Sequence, residues 1–210
     1  MAGFTLVEVL VALLIMAVMA GMAWQGLDGI VRSRDISQVQ LEQSLRLNTV
    51  MAQWEHDLLA VQDTTDVQAL AFDGATMRLT RRAEGGMQVV AWSLRTGPGV
   101  GGVWLRWAGP VVTGRAELQD QWLRSQQFMG NEPGQLRALT GLESWQVYYF
   151  RGNAWSNAQS TGDVESPAQA GSAPARQVLP QGVRLVLAFG QGSGRAGTLS
   201  RDIALGPQLQ

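Results

Sequence analysis

Glu8 is the single formal charge in a run of twenty residues, 4–23, that is otherwise almost wholly apolar. A carboxylate set in such surroundings costs on the order of 2.5 to 3.5 kcal/mol on membrane-insertion scales, so it calls for a position near water or a cationic partner. The other residues with chemical potential are poorly placed. His56 is the only histidine and stands between Glu55 and Asp57, but consecutive helical side chains project about 100° apart, so these three cannot converge on one metal ion. Three and four residues away lie Ala52, Gln53, Leu59 and Ala60, none of them a ligand. The string Gly97-Pro98-Gly99-Val100-Gly101-Gly102 has the form of a dinucleotide fingerprint, which works only when a helix N-terminus comes next to hold the pyrophosphate. Here the next residues are Val103-Trp104-Leu105-Arg106-Trp107, a strand pattern, so a hairpin loop is expected. Gly190 to Gly197 is likewise a turn, because a phosphate-binding loop ends in Gly-Lys-Ser or Gly-Lys-Thr and the chain has no Lys. Asp163 and Glu165 lie in a polar loop, where a Ca²⁺ site and a plain solvated loop both stay open. With no Cys and one His, the common nucleophilic triads are excluded. No catalytic residue, cofactor or metal site is expected, and the chain is read as no enzyme.

Twenty apolar residues are the length a helix needs to cross a bilayer core of roughly 30 Å. The element that must position Glu8 is therefore a membrane anchor. By itself this anchor explains the carboxylate in an ordinary way: one turn from a helix start, the helix dipole favours negative charge and water is close. Helical periodicity continues past the apolar run in Leu27, Ile30, Val31, Leu41, Leu45, Leu47, Val50, Met51, Trp54, Leu58 and Val61. Spacings of three and four extend one apolar face to about Ala60. Asp28, Arg32, Arg34, Asp35, Gln38, Glu42, Arg46, Glu55 and Asp57 read as its polar positions. Gly21, Gly26 and Gly29 each weaken a helix by about 1 kcal/mol relative to Ala, so a kink or melted turn is expected there. Trp24 suits the membrane interface. A plain anchor with a juxtamembrane helix is the simpler alternative; imperfect heptads argue against a coiled coil.

Beyond Asp66 the period changes to that of strands. Residues 67–72, 75–82, 87–95 and 103–107 read as an antiparallel meander broken by Asp73-Gly74, Glu84-Gly85-Gly86 and the Gly-rich loop. Residues 115–128 read as a short helix or a structured crossover. The strand signal returns from Leu142 through Arg151, a polar loop covers 156–175, and residues 183–189 and 198–205 form a final hairpin. The expected fold class is α+β: a long N-terminal helix, half of it transmembrane, packed on an antiparallel β-sheet domain.

Composition narrows the partners. Sixteen basic residues, all Arg, face seventeen acidic ones, for a formal net charge of -1 with no block of like charge. Phosphate backbones need a concentrated basic face, so nucleic acid is not an expected partner. The 210 residues leave enough chain beyond the anchor for one domain with its own core. Of the eight Trp residues, most are expected in the core or against the helix, with one or two as exposed contacts.

The string Gly3-Phe4-Thr5-Leu6-Val7-Glu8, with the apolar run after it, resembles the start of type IV prepilins and type II secretion pseudopilins. That resemblance implies a leader of residues 1–3 cleaved after Gly3 by prepilin peptidase, N-methylation of Phe4, and Glu8 as the carboxylate that meets a neighbouring subunit's N-terminal amine. In lipid each group would relieve the other's desolvation, and a wrong register would leave both unpaired. Residues 4–23 would be the transmembrane half of the helix, 24–60 its periplasmic half, and 61–210 the β-rich globular domain. The leader Met1-Ala2-Gly3 departs from the pattern, since prepilin leaders carry Lys or Arg before the Gly. With Arg32 and Arg34 beyond the anchor, a positive-inside count opposes the implied orientation.

Trp54-Glu55-His56-Asp57-Leu58 resembles the Glu-x-Asp-Leu that closes the long helix of J-type minor pseudopilins. Leu142-Glu143-Ser144-Trp145-Gln146-Val147, leading to Gly152 and Trp155, and Leu179-Pro180-Gln181-Gly182-Val183 are similar to that family as well. The resemblance implies a single-pass protein of the bacterial inner membrane with its C-terminal domain in the periplasm. It also implies assembly at a pseudopilus tip with the I-type and K-type minor pseudopilins and the major pseudopilin. A minor pilin of a type IV or competence pilus is the alternative in the same class. A bitopic, membrane-anchored binding module is the alternative from another.

Overall fold

The computed structural model describes residues 5–64, 66–96, 101–128, 130–160, 179–190 and 194–206. It divides into two compact units, Met1–Asn48 and Thr49–Gln210. Helix α1, Leu6–Leu59, runs through that division without a break in its hydrogen-bonded turns. No turn melts at Gly21, Gly26 or Gly29: all three stay helical, the propensity loss of single glycines being small against the continuity of a 54-residue helix.

In the first unit α1 is the only element among the described residues, and its apolar side chains are exposed from Leu6 through Leu45. It is the one helix among those residues long and apolar enough to cross a membrane.

The second unit is an eight-stranded antiparallel sheet with a second helix. In chain order the strands are β1 Leu70–Phe72, β2 Thr76–Ala83, β3 Gly86–Arg95, β4 Gly102–Ala108, β5 Gln135–Arg151, β6 Ala154–Asn157, β7 Gly182–Phe189 and β8 Gly197–Ala204; helix α2, Arg115–Gln126, lies between β4 and β5. The spatial order is β1-β2-β3-β4-β5-β7-β8, with β6 paired to β5. Residues 115–128, whose pattern suits either a helix or a crossover, are thus a helix as far as Gln126.

Strand β5 joins the two halves of the sheet. Its first half pairs with β4 and its second with β7, while β6 folds back on its last residues. Gly141, with φ of 79°, sits where β5 exchanges one neighbour for the other, a backbone conformation that residues with a Cβ rarely adopt. The sequence pattern starts this strand at Leu142 because Gly141 resembles a terminus; it is instead a bend inside a strand of 17 residues. Similarly, β1 begins at Leu70 and not at Val67, and β6 is a strand without a counterpart in the sequence pattern.

Alternation along the strands gives the sheet two apolar faces. The end of α1 covers one, where Trp54 meets Trp92, Trp104 and Trp145 at ring-centroid distances of 5.3, 5.3 and 6.2 Å. Helix α2 covers β3 and β4 on the other, in a cluster of Val89, Ala91, Leu105, Trp107, Leu118, Trp122 and Phe128. Six of the eight Trp are therefore core residues; Trp155 is half-buried and Trp24 is 74% exposed.

Candidate assembly site

Gly3 and Phe4, the expected cleavage and methylation positions, lie outside the described residues, as do Asp163 and Glu165. Glu8 stands in the first turn of α1. Its Oε2 accepts the backbone N–H of Thr5 at 2.9 Å and the Thr5 hydroxyl at 2.9 Å, and the Glu8 N–H donates back to Thr5 Oγ1 at 3.4 Å. This is a reciprocal cap, Thr-x-x-Glu, which satisfies donors that a helix start leaves orphaned. The cap accounts for the carboxylate within one chain, in line with the dipole argument. It uses only one oxygen: Oε1 accepts no hydrogen bond among the described residues, and the side chain is exposed.

At the other end of the helix, Asp57 is completely buried. The sequence pattern puts it on the polar face of α1, and the structure overturns that. Asp57 falls three residues after Trp54 and four before Val61, on the apolar stripe itself, and the sheet supplies its partners. Oδ2 accepts from Arg106 Nε at 2.7 Å and from the Trp92 indole N–H at 2.9 Å. Oδ1 accepts from Arg106 Nη2 at 2.9 Å, Arg81 Nη1 at 3.0 Å and Gln53 Nε2 at 3.0 Å. Burial holds the Arg81 guanidinium below its ordinary value; Asp57 opposes that shift and the neighbouring Arg106 adds to it. The carboxylate so surrounded has its lone pairs engaged. Its work is positional: it fixes the rotation of the last turns of α1 on strands β2, β3 and β4. The sequence signal is present in two parts, a carboxylate at stripe spacing and Arg106 two residues after Trp104 on the same strand face.

The flanking residues of the same string point elsewhere. His56 is exposed, and Glu55 reaches β8 through Arg201 at 2.9 Å. The three side chains diverge. Among the described residues no group of three or more His, Asp or Glu could hold a metal ion. The Gly-rich loop is described only from Gly101, and it leads into β4, not into a helix.

Residues 1–24 match the prokaryotic N-terminal methylation motif. Together with the N-terminal helix of membrane-spanning length and composition among the described residues, that match supports a membrane-anchored chain with a prepilin-type N-terminus. A long N-terminal helix with an antiparallel sheet is the α+β, pilin-like architecture that the sequence leads one to expect. Comparison with curated proteins gives no match.

Proposed function

We propose that this chain is a minor pseudopilin of a type II secretion system, of the J type, and that it acts by assembly. Its helix holds the subunit in the inner membrane, prepilin peptidase cleaves after Gly3, Phe4 is methylated, and Glu8 pairs with the amine of a neighbouring subunit. The β domain then docks, in the periplasm, on the I-type and K-type subunits at the tip of a fibre built from the major pseudopilin. It catalyses no reaction. The observation that carries the reading is at the close of α1, in the string resembling the J-type Glu-x-Asp-Leu. Asp57 and Leu58 of that string are the two residues buried against the sheet, so the stretch that bears the resemblance also fastens helix to domain.

The test is mass spectrometry of the N-terminal peptide from membranes of cells with and without prepilin peptidase, followed by co-purification with the I-type and K-type subunits. A chain beginning at methylated Phe4 only when the peptidase is present, and recovered with both subunits, supports the proposal. An intact N-terminus in both strains defeats it and leaves a membrane-anchored binding module. A minor pilin is the second reading, favoured by the same methylation motif; a processed chain that co-purifies with pilus subunits instead would establish it.

A further inference from the structure

Between α2 and the chain leaving β4 and entering β5 lies a cleft of about 610 Å³, within the size range of ligand sites. Trp107 and Phe128 give it aromatic walls, and Pro110 and Pro133 add apolar ones. Gln121 also lines it. This residue lies on the buried stripe of α2 with Leu118, Trp122 and Ser125, where packing alone would call for an aliphatic side chain, and only 7% of it is exposed. Its amide makes no hydrogen bond among the described residues. The amide is not among the fully buried polar atoms that lack a partner, so it opens onto the cleft, where whatever fills that space must meet its donor and acceptor.

The chemistry of that amide selects the ligand. It offers a donor and an acceptor side by side, the complement of a peptide group. A carboxylate or phosphate would leave the Gln121 oxygen unpaired, and the lining cation, Arg124, is already drawn to Asp120 at 2.9 Å. A hydrocarbon would leave both ends unpaired. Gly109 keeps the space open: a Cβ there would come within 2.9 Å of Cη2 of Trp107 and 3.1 Å of Oε1 of Gln121. We propose that this cleft binds an extended polypeptide segment of a partner protein, with one apolar side chain against the exposed edges of Trp107, Phe128 and the prolines and one main-chain amide on Gln121. The site does not depend on the assembly role of Glu8.

The test uses the full chain in detergent micelles, with N-acetyl-leucine N-methylamide as the probe and ¹H–¹⁵N correlation spectra as the readout. Saturable shifts are expected at the Trp107 indole N–H and the Gln121 amide. Gln121→Leu should bind about three- to tenfold more weakly, the worth of one neutral hydrogen bond, while unfolding at the wild-type temperature. Gly109→Ala, which keeps the Gln121 amide but crowds it and the Trp107 ring and so narrows the cleft, should weaken binding as well. It carries the test by itself if Gln121→Leu misfolds. Equal binding by wild type and a folded variant would overturn the proposal, as would the absence of any saturable shift, which would leave Gln121 to ordered water.

Discussion

Asp57 on the last turn of α1 and Arg106 on β4 form a two-pronged ion pair, 2.7 and 2.9 Å, across 49 residues of sequence, with the carboxylate fully buried. Parallel bonds from one guanidinium to one carboxylate fix orientation as well as distance. This pair therefore sets how the helix end is rotated on the sheet. Removing the carboxylate alone leaves two guanidinium groups facing an apolar interior.

Asp57→Ala should accordingly destabilise the β domain by about 3 to 5 kcal/mol, the usual penalty for orphaning a buried charge. Thermal unfolding of the full chain in micelles would show Tm lowered by roughly 10 °C. The triple variant Asp57→Leu, Arg81→Met, Arg106→Met should recover most of that loss, since apolar replacement of a whole buried ionic cluster is close to neutral. A single variant that unfolds within about 1 °C of wild type would remove the locking role.

Trp54 is the hub of the aromatic cluster, and its neighbour Trp145 meets Phe72 edge to face at 5.1 Å. Trp54→Ala should cost about 3 to 5 kcal/mol through the cavity it opens. Trp54→Phe keeps an aromatic hub and should cost visibly less. Chemical denaturation of both variants checks the order, and equal losses would mean that the bulk Phe retains does not help and the indole itself is required.

The helix, its end and the meander are legible in the sequence because periods of 3.6 and 2 reflect directly which faces are buried. Asp57 and the first half of β5 are not, for one shared reason. Local rules treat a charge as a surface residue and a glycine as a stop. Both are overridden when a distant strand supplies the missing partner: Arg106 for the carboxylate, and β4 with β7 for the strand that bends at Gly141. Glu8 is legible as a charge out of place, but the cap from Thr5 needs only the spacing Thr-x-x-Glu, which the family resemblance overshadows. Gln121 gives no signal, since a Gln among other polar residues on a short helix is ordinary until the helix docks.

Asp73 gives the domain an acid-sensitive contact. Burial pushes its carboxyl upward, but hydrogen bonds from the Thr76 N–H, the Arg78 guanidinium and the Ala75 N–H outweigh that and hold it below the ordinary value of 3.8. A carboxyl depressed on folding contributes stability above its unfolded value and loses that contribution as pH falls through the folded one. Tm should therefore decline as pH drops below about 4, and Asp73→Asn should flatten that decline. Asn keeps the acceptor for the two backbone N–H groups and removes the charge facing Arg78. An unchanged acid limb in the variant would assign the pH dependence to other carboxylates.

The cap seen at Glu8 and the assembly role proposed for it separate by substitution. As a cap it needs only an acceptor, and as an assembly group it needs a negative charge. Glu8→Gln keeps the acceptor for Thr5 and discards the charge; Glu8→Ala discards both. Both variants should reach the membrane at wild-type levels, because losing a carboxylate from an apolar helix favours insertion. If charge pairing sets the register, both should fail to co-purify with neighbouring subunits and both should reduce secretion. Wild-type assembly by Gln alone would reduce Glu8 to the helix cap seen in the single chain. Wild-type assembly by Ala would show that neither role is needed, and register would then have to come from the helix faces beyond the membrane.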